Sequence, residues 1–177
     1  MQVFNIHRRE VAASVEEVGS LIDGLASPGD RLWPHADWPA MRFDRPGITT
    51  GGVGGHGPVG YRVEHHEPGR SVTLRFTGRP RGLAGRHQYV VQATGDSNCV
   101  LWHLTDITPH GVLRLTWFPF WAPLHNALIE ESLDRAEAVG RTAMTTSHWS
   151  MYVRALRALG SALRFGSAGQ RPTTAAR

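Results

Sequence analysis

Hydrophobic and polar positions alternate through the middle of the chain and recur at helical spacing on either side of it. Residues 3–11 (VFNIHRREV) are rich in β-forming side chains and predict a first strand. Ser14 followed by Glu17 is a capping box, and Val15, Val18, Ile22 and Leu25 then fall at helical spacing, which predicts a short helix over about 15–25. Ser27-Pro28-Gly29-Asp30 stops it. Pro34 and Pro39 leave only irregular or single-turn structure for WPHADWPAM, whose Trp33, Trp38 and Met41 must be packed somewhere. The glycine-rich stretch Gly51–Gly60 predicts a turn or mobile loop.

Strand periodicity follows. Tyr61, Val63 and His65 alternate with Arg62, Glu64 and His66; beyond the Pro68-Gly69 turn, Val72, Leu74 and Phe76 alternate with Thr73, Arg75 and Thr77. A strand over about 86–94 places His87, Tyr89 and Val91 on one side. Its partner, from near Asn98, alternates Leu101, His103 and Thr105 with Val100, Trp102 and Leu104. Both sets are partly apolar, so periodicity leaves the inward face of 98–107 open. A further strand is predicted over about 111–117, and after Pro119 and Pro123 the segment LHNALIEESLDRAEAV predicts a long helix. Meandering strands between two helices, without strand–helix–strand alternation, predict an α+β fold and argue against a doubly wound parallel sheet.

Composition adds a division of the chain. Its 177 residues suit one domain, over 1–140, followed by a tail, 141–177. The 41% apolar and 19% charged residues are those of a folded protein. The net charge of +4 is unevenly placed: thirteen arginines face fifteen acids up to residue 140, whereas the tail carries six arginines and no acid. Within the tail, Trp149, Tyr152, Val153, Leu156, Leu159 and Leu163 share a helical face flanked by Arg154, Arg157 and Arg164, predicting an amphipathic helix over about 148–165 and a disordered end after Gly166. Such a helix suits an anionic membrane surface, non-specific nucleic acid, or packing on the core or on a second subunit as a homodimer. No specific nucleic-acid motif is present. A lone cysteine, Cys99, permits no internal disulfide, and neither a secretion-type leader nor a spanning apolar run is visible, so a cytoplasmic location is expected.

The order of elements, and the phrases SVEEVGSLID, GGHGPVGYRVEHHEPGRSVTLRF and PLHNALIEESLDRAEA within residues 3–140, resemble the START-like helix-grip (SRPBCC) superfamily, in its polyketide cyclase/dehydrase-like branch. The resemblance implies a curved antiparallel β-sheet wrapped around a long C-terminal helix, with short helices after the first strand and an internal cavity for a small molecule. With His103 registered inward, it implies a lining of Trp38, Met41, His56, Tyr61, His65, Phe76, His87, Tyr89, His103, Trp117, Trp121, His125, Leu128 and Ile129. The expected function is binding of a hydrophobic or aromatic molecule, polyketide-like or lipid-like. The alternative is a cofactor-independent cyclase, aromatase or dehydratase in which His103 and His125 act as acid and base. A third reading is a tail-mediated membrane or partner adaptor. Fold alone does not choose among these.

Other chemistry is poorly supported. HExxH and CxxC pairs are absent, and His65 and His66, adjacent in a strand, point to opposite faces, so no metal is expected. Gly52–Gly57 fits GxGxxG, but Pro58 and a strand follow it where a dinucleotide site requires a helix, so no cofactor is expected and the segment reads as a cavity flap or a plain loop. Cys99 reads as packing, and Glu131 either as orienting a histidine or as part of a solvated edge with Glu130 and Asp134.

Overall fold

The computed structural model describes residues 1–141 and 148–167, with side chains through residue 159. Seven strands, β1 (Val3–Val11), β2 (Arg42–Phe43), β3 (Val53–His56), β4 (Val59–Glu67), β5 (Ser71–Phe76), β6 (Leu83–Gly95) and β7 (Asn98–Pro109), form one curved antiparallel sheet in the order β1-β7-β6-β5-β4-β3-β2. The helix α1 (Val15–Asp23) starts where the capping box predicts: the Ser14 hydroxyl accepts from the Glu17 N–H while the Glu17 carboxylate accepts from the Ser14 N–H. Turns follow it, organised by Asp30, whose carboxylate accepts from the backbone N–H groups of Ala26, Leu32 and Trp33. Leu32 and Trp33 are thereby buried in the core.

The open register of β7 is resolved by burial: Leu101, His103, Thr105 and Ile107 point into the concave side, while Trp102 and Leu104 lie half-buried on the other. Three expectations are corrected. Residues 111–117 form a helix, not a strand. Gly111 (φ 56°) turns the chain after β7, and α2 (Val112–Thr116) runs through a π-helical turn (Trp117–Trp121) into α3 (Ala122–Glu137). Leu113 and Trp117, the two side chains of the segment that become buried, are four residues apart, a helical and not a strand spacing.

The glycine-rich stretch, where a turn or mobile loop is expected, is a β3–β4 hairpin with its turn at 57–58, so the mobile-loop alternative is the one set aside. A Cβ at Gly54 would lie 2.0 Å from the Arg42 carbonyl oxygen and one at Gly55 1.9 Å from that of Val59, so glycine here permits close approach of three backbones. His65 does not face inward. Pairing steps from Val63–Leu74 to His65–Thr73, leaving Glu64 as an extra residue, and this bulge reverses the alternation. His65 is exposed, and His66 takes the inner side, where its Nε2 lies 2.8 Å from Asp23 Oδ1.

The concave side holds α3, which buries Leu128, Ile129, Leu133 and Ala136 against β-strand side chains such as Leu101, Tyr89 and Val91. Along edge strand β1 the usual polarity is inverted: Phe4 and Ile6 are exposed and Asn5, His7 and Arg9 turn inward. They meet a polar stripe on α3. Asn5 Nδ2 donates to Asn126 Oδ1 at 2.7 Å, His7 Nδ1 lies 2.6 Å from Glu130 Oε1, and Arg9 reaches Glu130, Asp134 and Glu137 at 2.7–2.8 Å. Asp134 is thus buried in this seam, whereas Glu130, its side chain 40% exposed, bonds into it from the solvent edge.

After the helix α4 (Met151–Ser167) begins, the Tyr152 hydroxyl donates to the Pro119 carbonyl and the Arg157 guanidinium to that of Asp37, so the tail packs on the core. The predicted disordered end, and the side chains of Leu163 and Arg164, lie outside the described residues.

Replacing Arg9 by methionine leaves the buried carboxylates of Asp134 and Glu137 without this cation. Glu137 keeps Arg141 at 2.6 Å, so a loss of about 1.5–3 kcal/mol in stability is expected, read by denaturant unfolding. A loss under about 1 kcal/mol would show that the seam does not anchor α3.

Candidate functional site

Between α3, the π-helical turn and strands β4 to β6 lies a cavity of about 290 Å³. The sheet supplies Val59, Tyr61, Phe76 and Leu83, the hairpin His56 and Pro58, and the loop after α1 Asp37, Trp38 and Pro39. The helical run supplies Trp117, Phe120, Trp121, Leu124, His125 and Leu128, and α4 closes the list with Leu156 and Arg157. Eight of these seventeen residues, Trp38, His56, Tyr61, Phe76, Trp117, Phe120, Trp121 and His125, carry aromatic rings, so a guest meets rings on several sides.

Of the side chains the sequence proposes for the lining, Trp38, His56, Tyr61, Phe76, Trp117, Trp121, His125 and Leu128 border this space. Met41 and Ile129 are in the hydrophobic core instead, and His65 is outside, beyond the bulge. His87, Tyr89 and His103 face inward as expected but sit behind the wall. The Tyr61 and Phe76 rings cover His87 with centroids at 4.7 and 5.4 Å. Sequence reasoning missed Asp37 and Pro39 on the loop after α1, Pro58 and Val59 at the hairpin and Leu83 on β6, together with two sets from the helices. Phe120 and Leu124 follow from a helical reading of 112–128, and Leu156 and Arg157 from bringing α4 to the cavity, which the pattern of the tail permits but does not dictate.

A file of polar side chains runs from the cavity wall, where His56, Tyr61 and His125 stand, to His87, Tyr89 and His103 behind it. His56 Nε2 lies 2.8 Å from the Tyr61 hydroxyl, and His87 Nδ1 lies 3.0 Å from His103 Nε2. The Tyr89 hydroxyl is 2.9 Å from Ser132 Oγ, and Thr105 Oγ1 is 3.5 Å from His125 Nε2. His103 and His125 stand with ring centroids 5.4 Å apart. Burial lowers the pKa of every histidine in this file: that of His125 falls to about 4, with the charge of His7 contributing, and that of His56 to about 3. Burial pushes His87 and His103 well below the ordinary value too. At neutral pH each ring is therefore uncharged and offers one N–H and one lone pair. Among the described residues, His125 Nδ1, His103 Nδ1, His87 Nε2 and the Trp117 indole N–H have no hydrogen-bond partner.

At the mouth, the Arg157 guanidinium lies between two indoles, 4.2 Å from the Trp38 ring centroid and 3.8 Å from that of Trp149. Trp38 is held in turn by Glu131, whose Oε2 accepts from its Nε1 at 2.8 Å, which gives Glu131 a role in the wall and not beside a histidine. Cys99 is buried in the core, and burial raises its thiol pKa, which suits packing and not nucleophilic chemistry. Among the described residues no three His, Cys, Asp or Glu side chains are grouped as metal ligands.

This architecture is a helix-grip fold. Similar solved structures are CalU16 from Micromonospora echinospora (16% identity, TM-score 0.56, covering 94% of this chain and 89% of that one) and norcoclaurine synthase from Thalictrum flavum, solved with dopamine and hydroxybenzaldehyde (15%, 0.58, 82% and 90%). A third is XoxI from Bacillus cereus (16%, 0.56, 77% and 94%). No family model and no curated protein matches the chain in sequence. At these identities the likeness establishes the fold. No described helix is long and apolar enough to cross a membrane.

The depressed pKa of His125 has a sign that can be tested. Above the ordinary value of 6.5 neither folded nor unfolded chain protonates the ring; below it the unfolded chain takes up the proton first, so stability falls as pH drops from 6.5 towards about 4. Between about pH 7.5 and 4.5, wild type is expected to lose roughly 2 kcal/mol more than His125→Gln, by urea unfolding at each pH. Parallel losses would mean that the ring is protonated in the folded protein.

Proposed function

We propose that this protein binds a compact aromatic or otherwise hydrophobic molecule, such as a polyketide-like compound, in the cavity between the sheet and α3. The observation that carries this reading is the cavity of about 290 Å³ walled by aromatic rings, near the lower end of the range of small-molecule pockets. Rings favour flat guests over flexible chains, which favours the aromatic form of the reading over the lipid-like one. Neutral His56 and His125 and the Tyr61 hydroxyl in the lining supply hydrogen bonds that orient such a guest. The similar fold of norcoclaurine synthase, solved with two small aromatic compounds, supports the same reading.

Proton transfer is less well served. An acid–base catalyst works best with a pKa near the operating pH, whereas His125 is held at about 4 and His56 at about 3. His103, the other acid–base candidate, is fully buried and does not border the cavity. Binding without covalent chemistry is accordingly the preferred function.

The test is occupancy of the cavity by the protein's own side chain. Leu128→Trp is expected to weaken binding of the fluorescent probe anilinonaphthalene sulfonate at least tenfold while thermal unfolding remains cooperative, whereas His125→Gln keeps affinity within about tenfold, or 1.4 kcal/mol. Unchanged probe affinity in Leu128→Trp would place the binding site elsewhere.

A further inference from the structure

The helical segments that line the cavity also carry exposed apolar side chains. On α2 and the π-helical turn, Leu113 and Trp117 point inward, yet the outward positions are also apolar: Val112 is 74% exposed, Leu115 78% and Phe118 60%. The Tyr152 hydroxyl bond to the Pro119 carbonyl sets the first turn of α4 beside them, and Met151 there is 79% exposed. The same two segments line the cavity, through Phe120 and Trp121 on one side and Leu156 and Arg157 on the other.

On α2, the π-helical turn and α4 the charge has one sign; the exposed acid at the mouth, Asp37, belongs to the loop after α1 and faces Arg157. The sequence holds no acid from Ile107 to Ile129 and none after Glu137. Exposed Arg114 and Arg154 stand on α2 and α4 and form no ion pair with a described residue. In a two-fold interface a patch meets itself, so a second copy would set these arginines against one another. Phosphate head groups complement them, and the acyl boundary accepts the apolar side chains between them.

We infer that the surface formed by α2, the π-helical turn and the first turns of α4 docks on an anionic lipid bilayer, with the cavity mouth turned to the membrane. A guest that partitions into lipid then reaches the cavity without crossing bulk water. The docking itself does not depend on what the cavity binds.

Flotation of the full chain with vesicles tests this. On phosphatidylcholine vesicles containing phosphatidylglycerol the protein is expected to float; on phosphatidylcholine alone it stays in solution. Raising salt from about 0.05 to about 0.5 M should weaken binding at least tenfold by screening the arginines. The double variant Leu115→Asp, Phe118→Asp is expected to lose binding at least tenfold, and Arg114→Gln with Arg154→Gln to lose it on the anionic vesicles. All four side chains are exposed, so circular dichroism and anilinonaphthalene sulfonate affinity should match wild type. Absence of wild-type flotation on anionic vesicles, or equal flotation of the aspartate variant, would overturn the inference. So would a wild-type dimer in sedimentation that the aspartate variant converts to monomer, since the surface would then belong to a second copy. Leu128→Trp separates the two readings: it loses the probe while still floating.

Discussion

Arg9 and the carboxylates of α3 form the contact on which the arrangement of helix and sheet depends. A helix lying in a curved sheet has several rotations about its axis that bury some apolar surface, and the apolar stripe of α3 does not choose sharply among them. The polar stripe does. Asn126, Glu130, Asp134 and Glu137 meet Asn5, His7 and Arg9 along one sheet edge, and each pair has a partner only in one rotation. Pinned along β1, the helix leaves its first turns, with Leu124, His125 and Leu128, over strands β4 to β6, and that is where the cavity forms.

The cavity is in turn insulated from His87 and His103, while His56 and His125 stand in its wall. Stacked rings of Tyr61 and Phe76 separate His87 from the guest space, and burial keeps the whole file uncharged near neutrality. The interior therefore carries many polar atoms while adding no charge to the cavity wall. Only the mouth holds charge, in Asp37 and in Arg157 between its two indoles.

Much of this was legible in the chain, and the exceptions have physical causes. Ser14 and Glu17 mark the start of α1 because a capping box is a local interaction, and Val72, Leu74 and Phe76 reveal β5 because its large apolar side chains all fall on one face. His65 is misplaced by periodicity because a bulge at Glu64 is a property of the pairing and leaves no trace in the alternation. Residues 112–116 read as a strand because five residues are too few to separate a period of two from one of 3.6. In β1, Phe4 and Ile6 face outward against the pattern, because the seam with α3 decides the strand's inner face. For the site, Tyr61, Phe76 and Leu128 follow from strand and helix faces, whereas Arg157 follows only from the packing of α4, which is tertiary information.

The inverted strand also bears on the order in which the molecule assembles. β1 is made before the rest of the sheet, yet the side chains on its inner face bond to residues 119 to 128 positions further along. Its hydrogen-bonding partner β7 is likewise remote. Such contacts form only after a long loop has closed, which makes them slow relative to the hairpins between β3 and β7. The meander can therefore condense locally while β1 waits, and the closing step of folding joins that strand to α3.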